Sequence, residues 1–295
     1  MTASLDQVAR LNRASMDPSN PLAYLPWPST GSLESDPGWD VDLPTPLGAV
    51  IPERRCRGLL AKSLACHLMA TGIAFERELQ AGLCDHLARL DPGSAEYEYI
   101  HHEMIEESRH SQMFGRFLSL LPDVPRDDGL VSATLAAIDL SEAARNHPEL
   151  LFLAALAGEE PIDRLQRLLI RSNELPELLH QISRTHVREE ARHMAYARWA
   201  LRTKLPTVGP KRRRRLELLA PSLLLDTGWL MIVPPPAVLE ANKVVLTEHN
   251  VDLLVGLTHE ITSGLWGFCD QLGIVTRTAE RLREQWRPKS AFHTR

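Results

Sequence analysis

Apolar residues recur at helical spacing along most of the chain, and prolines and polar clusters separate the apolar stretches. No proline occurs between about Arg54 and Asp91, where leucine and isoleucine mostly recur every four to six residues, so we predict one long helix there. A second helix is predicted to start at the capping residue Ser94 and to end before Pro122. The same pattern predicts further helices over about 130–145, 149–173, 175–202 and 238–272, which makes the chain all-α.

Three stretches fall outside this helical pattern. Residues 1–52 are rich in proline, serine and aspartate, and we expect an irregular arm that wraps the bundle, with Trp27 and Trp39 as candidate anchors on apolar surface. The basic run Lys211–Arg215 is interpreted as a solvated helix start or turn, since no aromatic pattern for nucleic-acid binding accompanies it. The segment 229–236 ends in three prolines and is expected to break the chain before the last helical region.

One five-residue pattern, Glu-Glu-x-Arg-His, occurs twice, ending at His110 and again 83 residues later at His193. Residues three apart on a helix lie about 60° apart around its axis, so Glu107 and His110 share one face, as do Glu190 and His193. A carboxylate and an imidazole at this spacing form the Glu-x-x-His unit of di-iron helical bundles. A solvated acidic stripe is the alternative, but it does not account for a histidine at the same place in both copies. We therefore interpret the copies as two halves of one dinuclear metal site.

Such a bundle needs one more carboxylate from each of two other helices. The same offset of 83 residues relates Glu76 to Glu159, and each precedes its Glu-x-x-His glutamate by 31 residues. The neighbouring acids Glu78 and Glu160 have no acidic counterpart at this offset. Glu76 and Glu159 are therefore the predicted remaining carboxylate ligands, and the alternative for Glu76 is an exposed surface acid beside Arg77.

The second half of the repeat carries one more candidate ligand. His186, Glu190 and His193 are spaced i, i+4, i+7 on one predicted helix, which places them within about 60° of one another. The offset relates His186 to Glu103, so we expect an asymmetric site in which one metal receives an additional imidazole. The sequence assigns no role to Glu103 itself.

The acids that precede the two ligand glutamates are Glu106 and Glu189. Each is a candidate to accept a hydrogen bond from a metal-bound histidine of the other half, which would set the tautomer of that histidine. Arg109 and Arg192 recur beside these acids and would neutralise local negative charge. Ion pairs along the helix surface are the alternative for all four residues.

Composition narrows the function classes without pointing to one. The chain has 295 residues and a formal net charge of −5, which gives no reason to expect nucleic acid or an acidic membrane as partner. The four cysteines form no C-x-x-C pair, and the three that lie in one helix-like region are interpreted as small core residues, which fits a reduced, cytoplasmic protein. No leader pattern or long apolar run is found, so neither export nor a membrane span is expected. We expect the arm over 1–52 to be followed by one domain over 53–290, with the metal-binding bundle over about 54–204.

The charge of the predicted ligand set favours two divalent ions. Its four glutamates bring four negative charges, which two divalent cations balance and which would be costly to bury alone. Mixed carboxylate and imidazole ligands suit iron or manganese better than zinc, and iron is the first choice. The predicted metal ligands are Glu76, Glu107, His110, Glu159, His186, Glu190 and His193.

These seven positions resemble the ligand pattern of the p-aminobenzoate N-oxygenase (AurF-like) family of di-iron oxygenases. The match includes the family's additional histidine one turn before the second Glu-x-x-His, which His186 supplies. Where the family commonly has aspartate before each ligand glutamate, this chain has Glu106 and Glu189. The resemblance covers the bundle from about 54 to 204 and implies a ferritin-like fold.

The resemblance also implies a chemistry. Two iron ions would use dioxygen to oxidise an amine nitrogen, usually of an arylamine, toward hydroxylamine, nitroso and nitro products in specialised metabolism. No flavin, ferredoxin or nucleotide-binding pattern is found in the chain, so the electrons would come from an external reductase or a chemical donor. A homodimer is expected from the same resemblance.

Two other classes of function remain open from the sequence. The same fold, loaded with iron or manganese, could carry out another reaction, such as C–H oxidation or peroxide disproportionation. A ferritin-like iron store or a bundle scaffold is the non-enzymatic alternative, and the additional histidine argues against it.

Overall fold

Helices form wherever the long apolar stretches occur, as predicted. The computed structural model describes residues 20–29, 31–52, 56–172 and 174–288, and these residues contain no β-strand. Two short 3-10 turns, Pro37–Asp40 and Leu205–Thr207, accompany the α-helices. In chain order the α-helices are α1 Pro21–Tyr24, α2 Pro46–Val50, α3 Gly58–Leu87, α4 Ala95–Ser119, α5 Asp128–Ala136, α6 Leu140–Asn146, α7 Pro148–Arg171, α8 Glu177–Lys204, α9 Pro210–Ile232, α10 Pro236–Ala241, α11 Glu248–Ile261, α12 Ser263–Gln271 and α13 Arg277–Glu284.

Four long helices build the core. α3 packs along α4 and α7 packs along α8, and a short connection joins the members of each pair. α3 also contacts α7, and α4 contacts α8, so the four helices form a ferritin-like bundle, which confirms the predicted fold class. Side chains such as Leu79 on α3 and Phe114 on α4 are fully buried between the helices, and each stabilises the fold by about 1.5–3 kcal/mol through removal from water.

One predicted helix, over 130–145, is two helices in the structure. α5 ends at Ala136 and α6 begins at Leu140, because Asp139 adopts a left-handed backbone with a φ of 47°. The Asp139 side chain accepts a hydrogen bond from the Glu142 amide at 2.8 Å and so caps the new helix. A single aspartate in an unusual conformation therefore ends one helix and starts the next.

The C-terminal third departs most from the prediction. α9 extends to Ile232, so the predicted break over 229–236 is wrong for its first four residues. Pro221 lies inside this helix. The predicted helix over 238–272 is divided among α10, α11 and α12. Lys243 has a φ of 55°, and reciprocal hydrogen bonds between Thr247 and Asn250 cap the start of α11. These local caps divide a stretch whose apolar spacing looked continuous.

The basic run opens α9, in agreement with its interpretation as a helix start. Arg212 Nε donates to Glu149 Oε1 at 3.0 Å, on the first turn of α7. Arg213 donates to the carbonyl oxygen of Gly273 at 3.1 Å, in the loop before α13. The run therefore attaches α9 to its neighbours, in addition to facing solvent.

The N-terminal arm is less irregular than expected, since it contains α1, α2 and a 3-10 turn. Trp39 is buried, and its indole nitrogen donates to the Leu33 carbonyl at 2.7 Å. The guanidinium of Arg116, on α4, lies over the Trp27 ring, with Cζ 4.6 Å from the ring centroid. Both tryptophans thus anchor the arm, as predicted, while residues 1–19 of the arm lie outside the described residues.

Two of the predictions on composition need refinement. All four cysteines are free, but Cys84 is exposed, whereas the prediction placed the three cysteines of the first helical region in the core. Two helical stretches, Gly58–Leu87 and Pro210–Ala241, have the length and apolar composition of membrane spans. Within the most apolar window of each, 78% and 72% of the residues are buried in the fold, as is typical of core helices.

Candidate metal centre

The structure brings all seven predicted ligand residues together at the centre of the bundle. α3 contributes Glu76, α4 contributes Glu107 and His110, and α7 contributes Glu159, while the other three residues come from α8. None of the seven exposes more than 3% of its surface. Atoms that could bind metal lie within 4.8 Å of one another in the overlapping groups Glu76–His110–His186, Glu107–His110–Glu190 and Glu159–His186–Glu190.

The two Glu-x-x-His units face each other across α4 and α8. His110 Nδ1 lies 3.4 Å from Glu107 Oε2 on its own helix and 3.1 Å from Glu190 Oε1 on the opposite helix. His193 Nδ1 lies 3.0 Å from Glu190 Oε2 and 3.0 Å from Glu107 Oε1. Each of these glutamates therefore contacts both histidines, so the two halves of the repeat would share the carboxylates that hold a metal pair.

The second nitrogen of each histidine makes the predicted contact with the opposite half. His110 Nε2 lies 2.8 Å from Glu189 Oε2, and His193 Nε2 lies 2.9 Å from Glu106 Oε2. An ionised carboxylate can accept a hydrogen bond but cannot donate one, so the geometry assigns a proton to each Nε2. Each Nδ1 faces the ligand glutamates, so without metal it also carries a proton, and a metal ion bound there would take the place of that proton.

Arginines accompany both of these outer carboxylates. Arg192 contacts Glu106 Oε1 at 2.5 Å, as the repeat predicted. Arg188 contacts Glu189 Oε1 at 3.3 Å, and the repeat did not point to this residue. Burial opposes ionisation of Glu106 and Glu189. The contacts with histidine and arginine outweigh this effect and lower the pKa of both acids, so the exposed arginines favour the ionised form.

His186 makes the centre asymmetric, as expected. Its Nδ1 lies 2.8 Å from Gln166 Oε1, so Nδ1 donates and Nε2 faces the centre. Nε2 lies 3.5 Å from Glu76 Oε1 and 3.6 Å from Glu190 Oε1. Gln166 was missed in the sequence, although it follows Glu159 by seven residues and therefore lies two turns along the same face of α7.

Glu103 occupies the position that corresponds to His186 in the other half. It is buried on α4, and one of its oxygens lies within 4.8 Å of atoms of Glu107 and His193 that could bind metal. Burial, followed by the neighbouring carboxylates, raises the pKa of Glu103 to about 8. The half without an additional imidazole therefore has an additional carboxyl group.

The electrostatics of the cluster call for added positive charge. Burial and the neighbouring carboxylates raise the pKa of Glu76 and Glu159 well above the usual range. Burial would lower the pKa of His110 and His193, but contacts with glutamates outweigh it and raise the pKa of both. Among the described residues, each predicted carboxylate ligand has one buried oxygen that accepts no well-aligned hydrogen bond: Glu76 Oε1, Glu107 Oε1, Glu159 Oε2 and Glu190 Oε1. Two of them, Glu107 Oε1 and Glu190 Oε1, lie 3.0 and 3.1 Å from the Nδ1 atoms of the histidines, where metal ions would lie.

Such oxygens are costly to bury unless protons or metal ions satisfy them. Four buried carboxylates beside imidazole nitrogens that face inward are a donor set that two divalent metal ions fit, with the ions in place of the protons that those nitrogens carry without metal. The residues present therefore suit a dinuclear metal centre.

Two glycines allow aromatic rings to close around the centre. A Cβ on Gly158, the residue before Glu159, would lie 2.2 Å from the Phe75 ring. A Cβ on Gly72 would lie 2.7 Å from the Phe114 ring, whose centroid is 5.1 Å from that of His186. Both phenylalanines are buried. The small residues thus let two buried aromatic rings pack close to the helices that carry the cluster, and the Phe114 ring contacts His186 directly.

A cavity of about 820 Å³ lies elsewhere, between the arm, α7 and α11. It is lined by residues such as Pro46, Arg164, Leu168 and Leu257 and includes none of the seven predicted ligands. These α7 residues lie on the side of the helix away from Glu159, so the cavity is separate from the metal centre.

Comparisons with known proteins agree with the geometry. The sequence model of a family described as "P-aminobenzoate N-oxygenase AurF" matches residues 49–252 of this chain. Uncharacterised proteins of Mycobacterium bovis and of Mycobacterium tuberculosis H37Rv are each 30% identical to it over 231 residues. Each match covers 74% of this chain and 66% of the relative, so the chain spans just under two-thirds of the relatives' length. No solved structure matches.

Proposed function

This chain belongs to the p-aminobenzoate N-oxygenase family, and on that premise we propose that it is a non-haem di-iron oxygenase that oxidises an amine nitrogen with dioxygen. The substrate class proposed is an arylamine, converted toward hydroxylamine, nitroso or nitro products. One observation carries the proposal: four buried carboxylates, each with an oxygen that accepts no well-aligned hydrogen bond, converge on three buried histidines at the centre of the bundle.

We propose Glu76, Glu107, His110, Glu159, His186, Glu190 and His193 as the ligands of two iron ions. The four glutamates balance the charge of two divalent ions, and the ligand types suit iron. When bound, the iron pair would supply the binding and reduction of dioxygen. The electrons would come from an external donor. A cytoplasmic homodimer belongs to the same proposal.

The chain's own residues would prepare the centre for this chemistry. Glu106, Glu189 and Gln166 each hold one histidine in a single orientation and tautomer, so that one nitrogen always faces the metal. The packed rings of Phe75 and Phe114 keep water from the cluster, which strengthens the electrostatic interactions inside it.

The test combines metal analysis with a reaction assay. The purified protein is loaded with Fe(II) without oxygen, desalted, and then exposed to oxygen with a panel of aryl and alkyl amines in the presence of a chemical reductant. We expect about two irons per chain, as the bundle motif implies, and oxygen-dependent formation of an N-oxygenated product. Glu190→Ala should lose iron and activity, whereas Glu98→Ala, an exposed acid on α4, should retain both.

Each outcome separates the proposal from its alternatives. Two irons without any amine product across the panel would refute the N-oxygenase assignment while leaving the metal centre. Peroxide disproportionation by the manganese-loaded protein would point to a different enzyme of the same fold. Many irons per chain and a cage on sizing would indicate storage instead.

A further inference from the structure

A chain of three aromatic rings connects the protein surface to the neighbourhood of the metal centre. Trp199 on α8 exposes 48% of its surface. Its ring centroid lies 5.5 Å from that of Tyr196, and the Tyr196 centroid lies 4.5 Å from that of Tyr99 on α4. The two steps have interplanar angles of 31° and 34°, so the rings of each pair are tilted toward each other rather than perpendicular.

The inner end of this chain reaches the candidate ligands. Tyr99 is half-buried, and its hydroxyl lies beside Glu103, close enough for each group to change the other's pKa. Glu103 in turn lies within 4.8 Å of Glu107 and His193. The route from Trp199 to the centre thus consists of two ring contacts and one carboxyl group.

Tyr196 is placed to lose a proton whenever it loses an electron. Its hydroxyl donates to Glu96 Oε1 at 2.8 Å, and the same oxygen lies 2.9 Å from Lys204 Nζ. Burial opposes ionisation of Glu96, but the hydrogen bonds from Lys204, Tyr196 and His86 lower its pKa below the usual range. An ionised acceptor therefore faces the phenol, and proton-coupled oxidation of a tyrosine is much easier than removal of an electron alone.

We propose that Trp199, Tyr196 and Tyr99 form an electron-transfer path that carries oxidising equivalents from the metal centre to the protein surface. Electron transfer slows steeply with distance, so a path that runs through two oxidisable rings, Trp199 and Tyr196, and one bridging ring, Tyr99, competes well with damage to nearby ligands. This role rests on the proposed oxygen-dependent function, because a strong oxidant arises at the centre only during that chemistry. It would protect the centre when oxygen reacts and no amine is bound.

The transfer balances in three steps. Tyr196 passes one electron through the Tyr99 ring to the oxidised centre and its phenolic proton to Glu96, forming a neutral tyrosyl radical. Trp199 then gives one electron to that radical, which recovers its proton from Glu96. A dissolved thiolate finally returns one electron to the Trp199 radical cation and becomes a thiyl radical. Two such passages deliver two electrons to the centre, and the two thiyl radicals combine to a disulfide.

Packing alone accounts poorly for the outer ring. An indole left half in water gains little from burial, and Trp199 is one of the most exposed large apolar residues in the described part of the chain. An exposed, oxidisable ring in contact with Tyr196 is, however, what the end of an electron path requires, since the external reductant must reach it.

The coupling between the two outer rings can be tested in metal-free protein. Pulse radiolysis in azide solution oxidises exposed indoles, and a Trp27→Phe background removes the other tryptophan that is not fully buried. We expect a tyrosyl absorption to grow as part of the indole radical absorption decays, because the electron moves in both directions between the two rings until they reach equilibrium. In the iron-loaded protein the dissolved thiolate removes the Trp199 radical and so draws the oxidising equivalent outward. Tyr196→Phe should lose this tyrosyl signal, whereas Tyr97→Phe, which changes a tyrosine paired with His101, should keep it. An unchanged tyrosyl yield in Tyr196→Phe overturns the path.

A second measurement concerns the iron-loaded protein exposed to oxygen without substrate. Mass spectrometry of the digested protein should show oxidation concentrated at Trp199, and added thiol should suppress it. Trp199→Phe and Tyr196→Phe should shift oxidation to residues of the centre, while Tyr99→Phe should behave like the wild type because it keeps the bridging ring. Equal damage at the centre in all four proteins would refute the protective role, even if the radiolysis result held. Failure of iron loading would instead refute the proposed metal centre.

Discussion

Replacement of Glu106 by glutamine tests how the outer carboxylates support the metal centre. In the structure Glu106 Oε2 accepts from His193 Nε2 at 2.9 Å, and Oε1 contacts Arg192 at 2.5 Å. Glutamine has one oxygen, so it can accept from one of these two donors, and its amide nitrogen must face the other. The Glu106→Gln variant keeps the size of the side chain and removes its charge.

The expected magnitude follows from these contacts. A hydrogen bond to a charged group contributes about 1.5–3 kcal/mol, and changes to the partner of a metal-bound histidine reduce metal affinity by about 10–100-fold. That range corresponds to about 1.4–2.7 kcal/mol of binding free energy. We expect the loss at one of the two metal-binding steps, since Glu106 contacts His193 and the other histidine contacts Glu189.

The assay is an anaerobic titration of Fe(II), and of Mn(II) in parallel, against a coloured chelator of known affinity. Glu189→Gln should weaken the other binding step by a similar factor, and Glu98→Gln, at an exposed position on the same helix as Glu106, should leave both steps unchanged. Circular dichroism and urea unfolding of the metal-free variants check that the fold is retained. If a folded Glu106→Gln variant binds both ions with wild-type affinity, the reasoning that this carboxylate orients a metal ligand is wrong.

Three further outcomes are expected. Gly158→Ala should destabilise the protein by about 1–3 kcal/mol in urea unfolding, because the new Cβ would lie 2.2 Å from the Phe75 ring. The control Gly256→Ala should show no loss of stability, because its new Cβ meets no atom within 4 Å. His67 is buried with Nε2 2.7 Å from the Leu230 carbonyl, and burial lowers its pKa to about 4. Since the folded state disfavours the charged ring, up to about 3 kcal/mol of stability should disappear as pH falls from about 6.5 toward 4, and His67→Gln should show a weaker pH dependence. Fe(II) in thousandfold excess over its Kd should raise the free energy of unfolding by about 4 kcal/mol, and a chelator should reverse this increase. An equal increase in the Glu190→Ala variant would contradict the ligand assignment.

The fold and the inner part of the site were largely predictable because both depend on short-range periodicity. Helical spacing of apolar residues identified α3, α4, α7 and α8, and the i, i+3 spacing within the repeat placed each glutamate and histidine on one face. The constant offset between the halves then selected Glu76 and Glu159, which the structure brings to the same cluster. Helix ends were less predictable, since the conformation of one residue, such as Asp139, divides a regular apolar pattern.

Contacts between helices needed the three-dimensional structure. Gln166 on α7 meets His186 on α8, and Arg188, outside the repeat, contacts Glu189. The spacing from Glu159 places Gln166 on the ligand face of α7, but no spacing in the sequence gives its partner, because the pairing depends on the relative rotation and height of two packed helices. The same holds for the ring contacts of Tyr99, Tyr196 and Trp199, which join α4 to α8.

The sequence by itself determined an all-helical chain with two matching carboxylate and histidine units, and it indicated the asymmetry at His186. These properties follow from residue spacing along single helices, where backbone geometry relates position to direction. The tertiary structure decided which carboxylate each histidine contacts, which tautomer those contacts select, and which aromatic rings approach the centre. Those properties depend on how four helices pack side by side, and the spacing within any one helix does not specify that packing.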